Sequence, residues 1–168
     1  GIGLAIQSST ALEIDNSGDI ILAGLFIDSI GIYGDTILYA ENPVFDYFYS
    51  KFEPENGDLK WIKRARSLRN GFGRIEDIYP NTESYLFTGR FQDSIGFADD
   101  TIVAFGDKSD VHLIQTDIDG NVSWIRKIAG NEDEFSYAVL TDNEDHIYVS
   151  GYYESDTLYV DSSNSESV

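Results

Sequence analysis

A thirteen-residue stretch occurs twice in this chain, and that recurrence constrains the fold more than any other feature. Residues 84–96 read SYLFTGRFQDSIG and residues 19–31 read DIILAGLFIDSIG, sharing a Gly-x-Phe-x-Asp-Ser-Ile-Gly skeleton. A looser copy, HIYVSGYY, covers residues 146–153. Gly24 and Gly89 stand 65 residues apart, Gly89 and Gly151 62, and Trp61 and Trp124 63. A steady period of this length marks an array built from one supersecondary unit. It divides the chain into a first unit at about 8–72, a second at about 73–135 and a partial third at about 136–168.

The pattern inside each unit is that of strands. Leu12 and Ile14 alternate with Glu13 and Asp15, the period-2 signature of a half-buried strand, and Asp15-Asn16-Ser17-Gly18 then turns the chain. Residues 20–26 are nearly all apolar and too few for a helix, which predicts a strand covered on both faces. Gly24 within it predicts a bulge or a close backbone approach. Residues 28–31 read as a loop, followed by strands at 36–39, 45–52 and 59–65, with Asn56-Gly57 as a hairpin signal between the last two. The second unit repeats the order at 75–79, 85–91, 101–105, 111–117 and 122–128. The third gives 137–141, 146–153 and 157–160. No helical periodicity occurs, and the fold class is all-β: consecutive four-stranded antiparallel blades, packed face to face.

At 168 residues, 42% of them hydrophobic, the chain can bury a core. It has neither cysteine nor methionine, so it offers no disulfide framework or thiolate metal site and looks cut from something longer. No signal peptide is expected ahead of the first unit. A formal net charge of −19 repels phosphate backbones and anionic lipid, so nucleic acid and membrane insertion are not expected.

The ordered motifs Asp15–Gly18, Gly24-Leu25-Phe26, Asp46-Tyr47-Phe48-Tyr49-Ser50-Lys51 and Gly57–Trp61 resemble the bacterial SBBP β-propeller repeat. In the second unit the matching residues are Gly89-Arg90-Phe91, 110–115 and 120–124. That unit departs from the pattern at its first turn, with Pro80 and Glu83, and carries Gln115 where the Lys stands. The resemblance implies propeller-like blades and, with Bacteroidota-like export, an extracellular or cell-surface location. About two and two-thirds units are fewer than the typical four to eight blades of a closed propeller. A fragment of a longer chain, closure by several chains, or an open array packed on a partner would each reconcile the count, the first being favoured.

Sites are sparse. Asp117-Ile118-Asp119-Gly120-Asn121 is the nearest approach to a calcium loop, with Asp117, Asp119 and Asn121 as oxygen donors, although its glycine stands at position four and not six. No cofactor is required; calcium is the candidate. An Asp-Ser/Thr-aliphatic triplet recurs five times and resembles the O-glycosylation signal of Bacteroidota, which would place sugar on Ser29, Thr36, Ser94, Thr101 and Thr157. The same triplet also reads as an inherited turn, its Asp capping the loop. Six of the 11 bases fall in 60–74, either a docking patch or a basic strand beside acidic neighbours. Trp61 and Trp124 read as packing between blades, or as sugar platforms. His112, alternating with Val111 and Leu113, is expected to face outward. Neither it nor His146 has a motif-linked nucleophile, and the Gly1-Ile2-Gly3 and Gly71-Phe72-Gly73 pairs lack the remaining features of a nucleotide loop. The function expected is therefore a non-enzymatic scaffold or adhesin contacting a protein or glycan partner, or neighbouring copies. The alternative is a carbohydrate- or calcium-binding module using loops at the blade ends.

Overall fold

A computed structural model describes residues 7–32, 36–40, 45–68 and 71–162. Gly1-Ile2-Gly3, Asp35, Arg69 and the last six residues lie outside that part. The described residues form strands and turns without a helix. The first unit holds β1 (Gln7–Ile14), β2 (Ile20–Phe26), β3 (Ser29–Ile32), β4 (Thr36–Tyr39), β5 (Asp46–Phe52) and β6 (Leu59–Leu68). The second holds β7 (Gly73–Pro80), β8 (Ser84–Phe91), β9 (Ser94–Phe97), β10 (Asp100–Val103), β11 (Asp110–Asp117) and β12 (Val122–Ala129). The third holds β13 (Glu134–Thr141), β14 (Ile147–Tyr153) and β15 (Tyr159–Ser162).

These strands make several antiparallel sheets, none closed on itself. The larger two run β1-β2-β5-β6-β9-β10 and β15-β12-β11-β8-β7; β13-β14 and β3-β4 pair by themselves. Four strands of each large sheet follow one another as a meander, as the pattern predicts. The outer edge differs from expectation, because it is completed by strands of the next unit. Residues 28–31 and their second copy were expected as loops, yet β3 and β9 are strands. β9 pairs with β6 from Ala65↔Phe97 to Leu68↔Ser94, and β15 pairs with β12 beginning at Ala129↔Tyr159. The two joints share one register, Ile128↔Val160 standing where Ala65↔Phe97 stands in the first.

The three landmark glycines occupy one structural position. Register shifts at Ser9/Ala11, Ile75/Asp77 and Ser136/Ala138 place a bulge beside Gly24, Gly89 and Gly151 respectively. A Cβ there would lie 2.3 Å from the Ser8 carbonyl oxygen, 1.9 Å from that of Arg74 and 2.0 Å from that of Phe135. No side chain fits at such distances, which is why the strand keeps glycine there.

The layers stack through apolar faces. Ile21, Ala23, Tyr47 and Tyr49 of the first sheet meet Ile75, Tyr85, Phe87, Phe91 and Ile114 of the second in the main cluster. Phe26, Ile30 and Phe48 pack on the opposite face of the first sheet, beneath the β3–β4 hairpin. Leu86, Leu113 and Val139 join the second sheet to β13–β14. Strands β2 and β8 are thus covered on both faces, which explains their near-continuous apolar run.

β11 is covered on both faces as well, and this corrects the expectation for His112. Val111, His112, Leu113 and Ile114 are all buried. The His112 ring lies between Phe91 and Phe97, centroids 6.3 and 5.7 Å away. Its Nε2–H donates to the Arg74 carbonyl at 3.2 Å. Burial holds the imidazole neutral, lowering its pKa to about 4.

Candidate functional site

The joint between the first two units is built from turns and the ends of strands. Asp15 closes its turn by accepting, on Oδ1, the N–H groups of Ser17 and Asp19, both at 2.9 Å. Asp117 does the same for Asp119 and Asn121 at 3.0 and 2.8 Å, and Asp142 for Glu144 and His146 at 2.9 and 3.0 Å. The recurring aspartate is therefore an Asx-turn device.

In the first unit this turn also anchors charge. Lys51 Nζ lies 2.9 Å from Asp15 Oδ2 and 3.1 Å from Asp19 Oδ2. It also donates to the Tyr85 hydroxyl at 2.9 Å, and that hydroxyl in turn donates to Asp15 at 2.7 Å. Lys60 adds a contact to Asp19 at 2.6 Å. Burial alone would raise Asp15 and Asp19. Hydrogen bonds outweigh it and hold both below the usual carboxylate range, chiefly from Ser17, Lys51 and Tyr85 on Asp15 and from Lys60 and Lys51 on Asp19. Burial, with the Asp15 carboxylate beside it, pushes the Tyr85 hydroxyl up to about 12.

The β11–β12 turn of the second unit then settles onto β6. Trp61 Nε1 donates to the Ile118 carbonyl at 3.0 Å, Tyr49 OH to that of Gly120 at 3.3 Å, and Lys63 Nζ to Asn121 Oδ1 at 3.0 Å. The indole lies flat against Gly120, where an added Cβ would meet it at 2.9 Å. What remains is a small pocket of about 250 Å³ among Asp15, Lys51, Tyr85 and Ile118.

The second joint has the same strands with different side chains. Gln115 pairs with Trp124 as Lys51 pairs with Trp61, and Leu113 with Arg126 as Tyr49 with Lys63. Gln115 Nε2 donates to Ser84 Oγ at 3.1 Å, beside Asn81 Nδ2 at 3.4 Å. The ionic network of the first joint is neutral here. No turn covers Trp124 among the described residues. Instead a cleft of about 750 Å³ opens between the units, lined by Glu83, Gln115, Asp117, Trp124, Arg126 and Ile147 among others. The Arg126 guanidinium sits 5.0 Å over the Trp124 ring.

The residues singled out in the sequence are scattered across this frame. Asp117, Asp119 and Asn121 share a turn, but both Asp117 oxygens already accept N–H groups, and the Lys63 ammonium holds the Asn121 oxygen. Of the glycosylation candidates, Thr101 and Thr157 are exposed, Ser29 is half-buried and Ser94 is buried; the Thr36 side chain lies outside the described part. Asp28 and Asp93, which open two of the triplets, have φ of 69° and 59°. Aspartate tolerates that left-handed conformation better than most residues, which gives the triplet a local structural role. The basic stretch is engaged internally: Lys60 on Asp19, Arg64 on the Tyr39 carbonyl, and Arg66 on that of Ala98 at 2.9 Å. His146 is exposed and sits 3.0 Å from Asp142 in its own turn.

Sequence reasoning did not single out the Trp124–Arg126 cleft. Its signal was present in the two departures of the second unit from the repeat, since Glu83 and Gln115 both line it. Compared with known protein families, curated proteins and solved structures, the chain matches none. No helix among the described residues is long and apolar enough to cross a membrane.

Proposed function

We propose that this chain is a non-enzymatic repeat scaffold of propeller-type blades, of the SBBP kind. It is exported or displayed at a bacterial surface and contacts protein or glycan partners through the joints between units. One observation carries the reading: the strand joint β6·β9 recurs as β12·β15 at the same register. A module that hooks onto its neighbour in this way is suited to extending a surface. The buried ionisable groups of the first joint hold units together by hydrogen bonds, a structural use of charge.

Exported display is tested by fractionating the native host and mapping peptides by mass. The expected result is surface-associated protein carrying sugar on peptides that contain Thr101 or Thr157. Cytoplasmic protein with both peptides bare would overturn it. A second reading, carbohydrate binding, draws on the Trp124 ring beside Arg126 in the open cleft. Calorimetric titration with a glycan panel separates the two: saturable heat that disappears in Trp124→Ala favours the second, and silence favours the first.

A further inference from the structure

At the end of the strands away from Lys51 and Gln115, the two joints differ in charge. β5 and β11 each open on a fully buried aspartate, Asp46 opposite Phe26 and Asp110 opposite Phe91. Asp46 is compensated: its Oδ1 accepts the Ser67 N–H at 3.0 Å, and the Arg64 guanidinium lies 3.9 Å from Oδ2. Asp110 Oδ2 accepts the Phe105 N–H at 2.6 Å, but Oδ1 has no donor. Lys127, opposite His112 as Arg64 is opposite Phe48, turns to the Val103 carbonyl at 2.8 Å.

A second carboxylate joins Asp110. Glu134 opposes Tyr153 as Gly73 opposes Phe91, so β13 brings a side chain to a position where β7 has none. In the first joint the Tyr47 hydroxyl lies beside Ser67 and the Gly73 backbone. Val111, Gly130 and Glu134 stand at those three positions in the second, and a carboxylate thus replaces a neutral phenol. Glu134 is 1% exposed; its Oε1 accepts the Ser155 N–H at 3.3 Å, and its Oε2 has no donor. The two acids meet around Gly130. Its N–H donates to Asp110, and a Cβ on it would reach Glu134 Oε1 at 2.9 Å and collide with Ser155 Oγ. No Lys, Arg or His among the described residues comes within ion-pair distance of either carboxylate. The connecting segment adds to the charge, since residues 130–134 read GNEDE where residues 67–73 read SLRNGFG. Asp110, Glu134 and Ser155 are all buried among the described residues. Two carboxylates enclosed in this way cannot both stay ionised without a counter-charge.

We propose that Asp110 and Glu134 bind a calcium ion, which ties β11 to the start of β13. A divalent cation balances both charges, and hard oxygen donors suit calcium or magnesium. Calcium fits better, because magnesium dehydrates reluctantly and keeps waters for which a buried site has no room. Asp110 Oδ1 and Glu134 Oε2 are the charged ligands. Ser155 Oγ, which accepts the Glu132 N–H at 2.8 Å, keeps a second lone pair for the ion. Main-chain carbonyls complete the shell. The ion does for Asp110 what the Arg64 guanidinium does for Asp46. The inference goes beyond the scaffold reading and depends on neither export nor glycan binding.

The test uses the purified full chain, stripped with a chelator and dialysed at neutral pH. Its net charge of −19 lets any divalent salt act by screening, so magnesium chloride at the same concentration sets the baseline. In about 10 mM calcium chloride the melting temperature should exceed that baseline by about 3 °C or more. Asp110→Asn and Glu134→Gln keep the size of each side chain and remove one charge. Each should lose the calcium-specific rise, whereas Asp119→Asn, in the 117–121 turn, should keep it. Equal shifts with the two metals would show screening alone and overturn the proposal. A calcium-specific rise that persists in both buried variants, or that Asp119→Asn abolishes, would do so too. A chain that ignores calcium and gains stability only in acid would assign the pair to a shared proton instead.

Discussion

The two joints of this molecule stand on equivalent strands, yet one centres on an ionic network capped by a neighbouring turn and the other on a neutral hydrogen bond beside a cleft. At the first, Lys51 bridges Asp15, Asp19 and Tyr85, and Trp61 is capped by Gly120. At the second, Gln115 and Ser84 share a single neutral hydrogen bond, and Trp124 borders a cleft of about 750 Å³. The two share their backbone register, and the side chains at its ends differ, charged at the first and neutral at the second.

The comparison breaks most sharply at the bulge glycines. Gly89→Val places a Cβ within 1.9 Å of the Arg74 carbonyl oxygen and 2.7 Å of His112 Nε2, in the middle of the second sheet. We expect a loss of more than about 4 kcal/mol in urea denaturation, because backbone must move on a strand covered on both sides. Gly151→Val meets backbone just as closely, but on β14 it should loosen β13–β14 and leave the second sheet folded. An unchanged midpoint for Gly89→Val would contradict the placement.

Lys51→Met leaves two carboxylates without their shared ammonium at a site where the Lys51 side chain is only 10% exposed. Removing one partner of a buried ion pair costs about 3–5 kcal/mol. The matching change Gln115→Met should cost about 1 kcal/mol, the worth of one neutral hydrogen bond. Equal losses from the two variants would erase the distinction between the joints.

Acidity separates the units in another way. His112, where the first unit has Phe48, is held neutral with its pKa lowered from 6.5 to about 4. The unfolded chain takes up that proton below about pH 6.5 and the fold refuses it, so stability falls by roughly 3 kcal/mol as pH drops from 6.5 to 4. Two residues away, burial pushes Asp110 up from 3.8 to about 6. The fold keeps a proton there that the unfolded chain releases, so stability rises by roughly 3 kcal/mol as pH drops across that window. The two trends offset each other in the native sequence. Asp110→Asn should expose the acid-sensitive slope of His112, and His112→Phe the opposite slope; parallel pH profiles would refute the assignment. Asp15, Asp19 and Asp117, all lowered, withdraw their contributions only below about pH 4.

The smallest effect concerns the paired tryptophans. Trp61→Ala should cost about 3 kcal/mol, since the ring touches Tyr49 and Tyr85 and supports Gly120. Trp124→Ala should cost about 1 kcal/mol, because one side of its ring faces the cleft. Denaturation of the pair in one buffer measures the difference directly, and a Trp124 loss equal to that of Trp61 would show the cleft to be closed.

Much of this architecture was legible in the residues. The 62–65 residue period, the Asp-led turns and the doubly apolar strands predicted an all-β meander, and Gly24, Gly89 and Gly151 do share one bulge. Three features were not legible, each for a physical reason. The Ser-Ile-Gly segments are four-residue strands too short to show a period, so β3 and β9 read as loops. His112 follows strict alternation, which tells in from out only when one face of the strand meets water; β11 has no such face. The cleft beside Trp124, a ring that no turn covers among the described residues, is a tertiary feature that the sequence hints at only through Glu83 and Gln115.

Amide hydrogen exchange on the native protein, read strand by strand, tests most directly whether each unit is completed by the next. We predict that the amides of β9 exchange together with those of β6, as one cooperative sheet, and that β14 exchanges far faster than its counterparts β2 and β8. If β9 opened independently of β6, or β14 were protected as well as β8, the joined-unit account would be wrong.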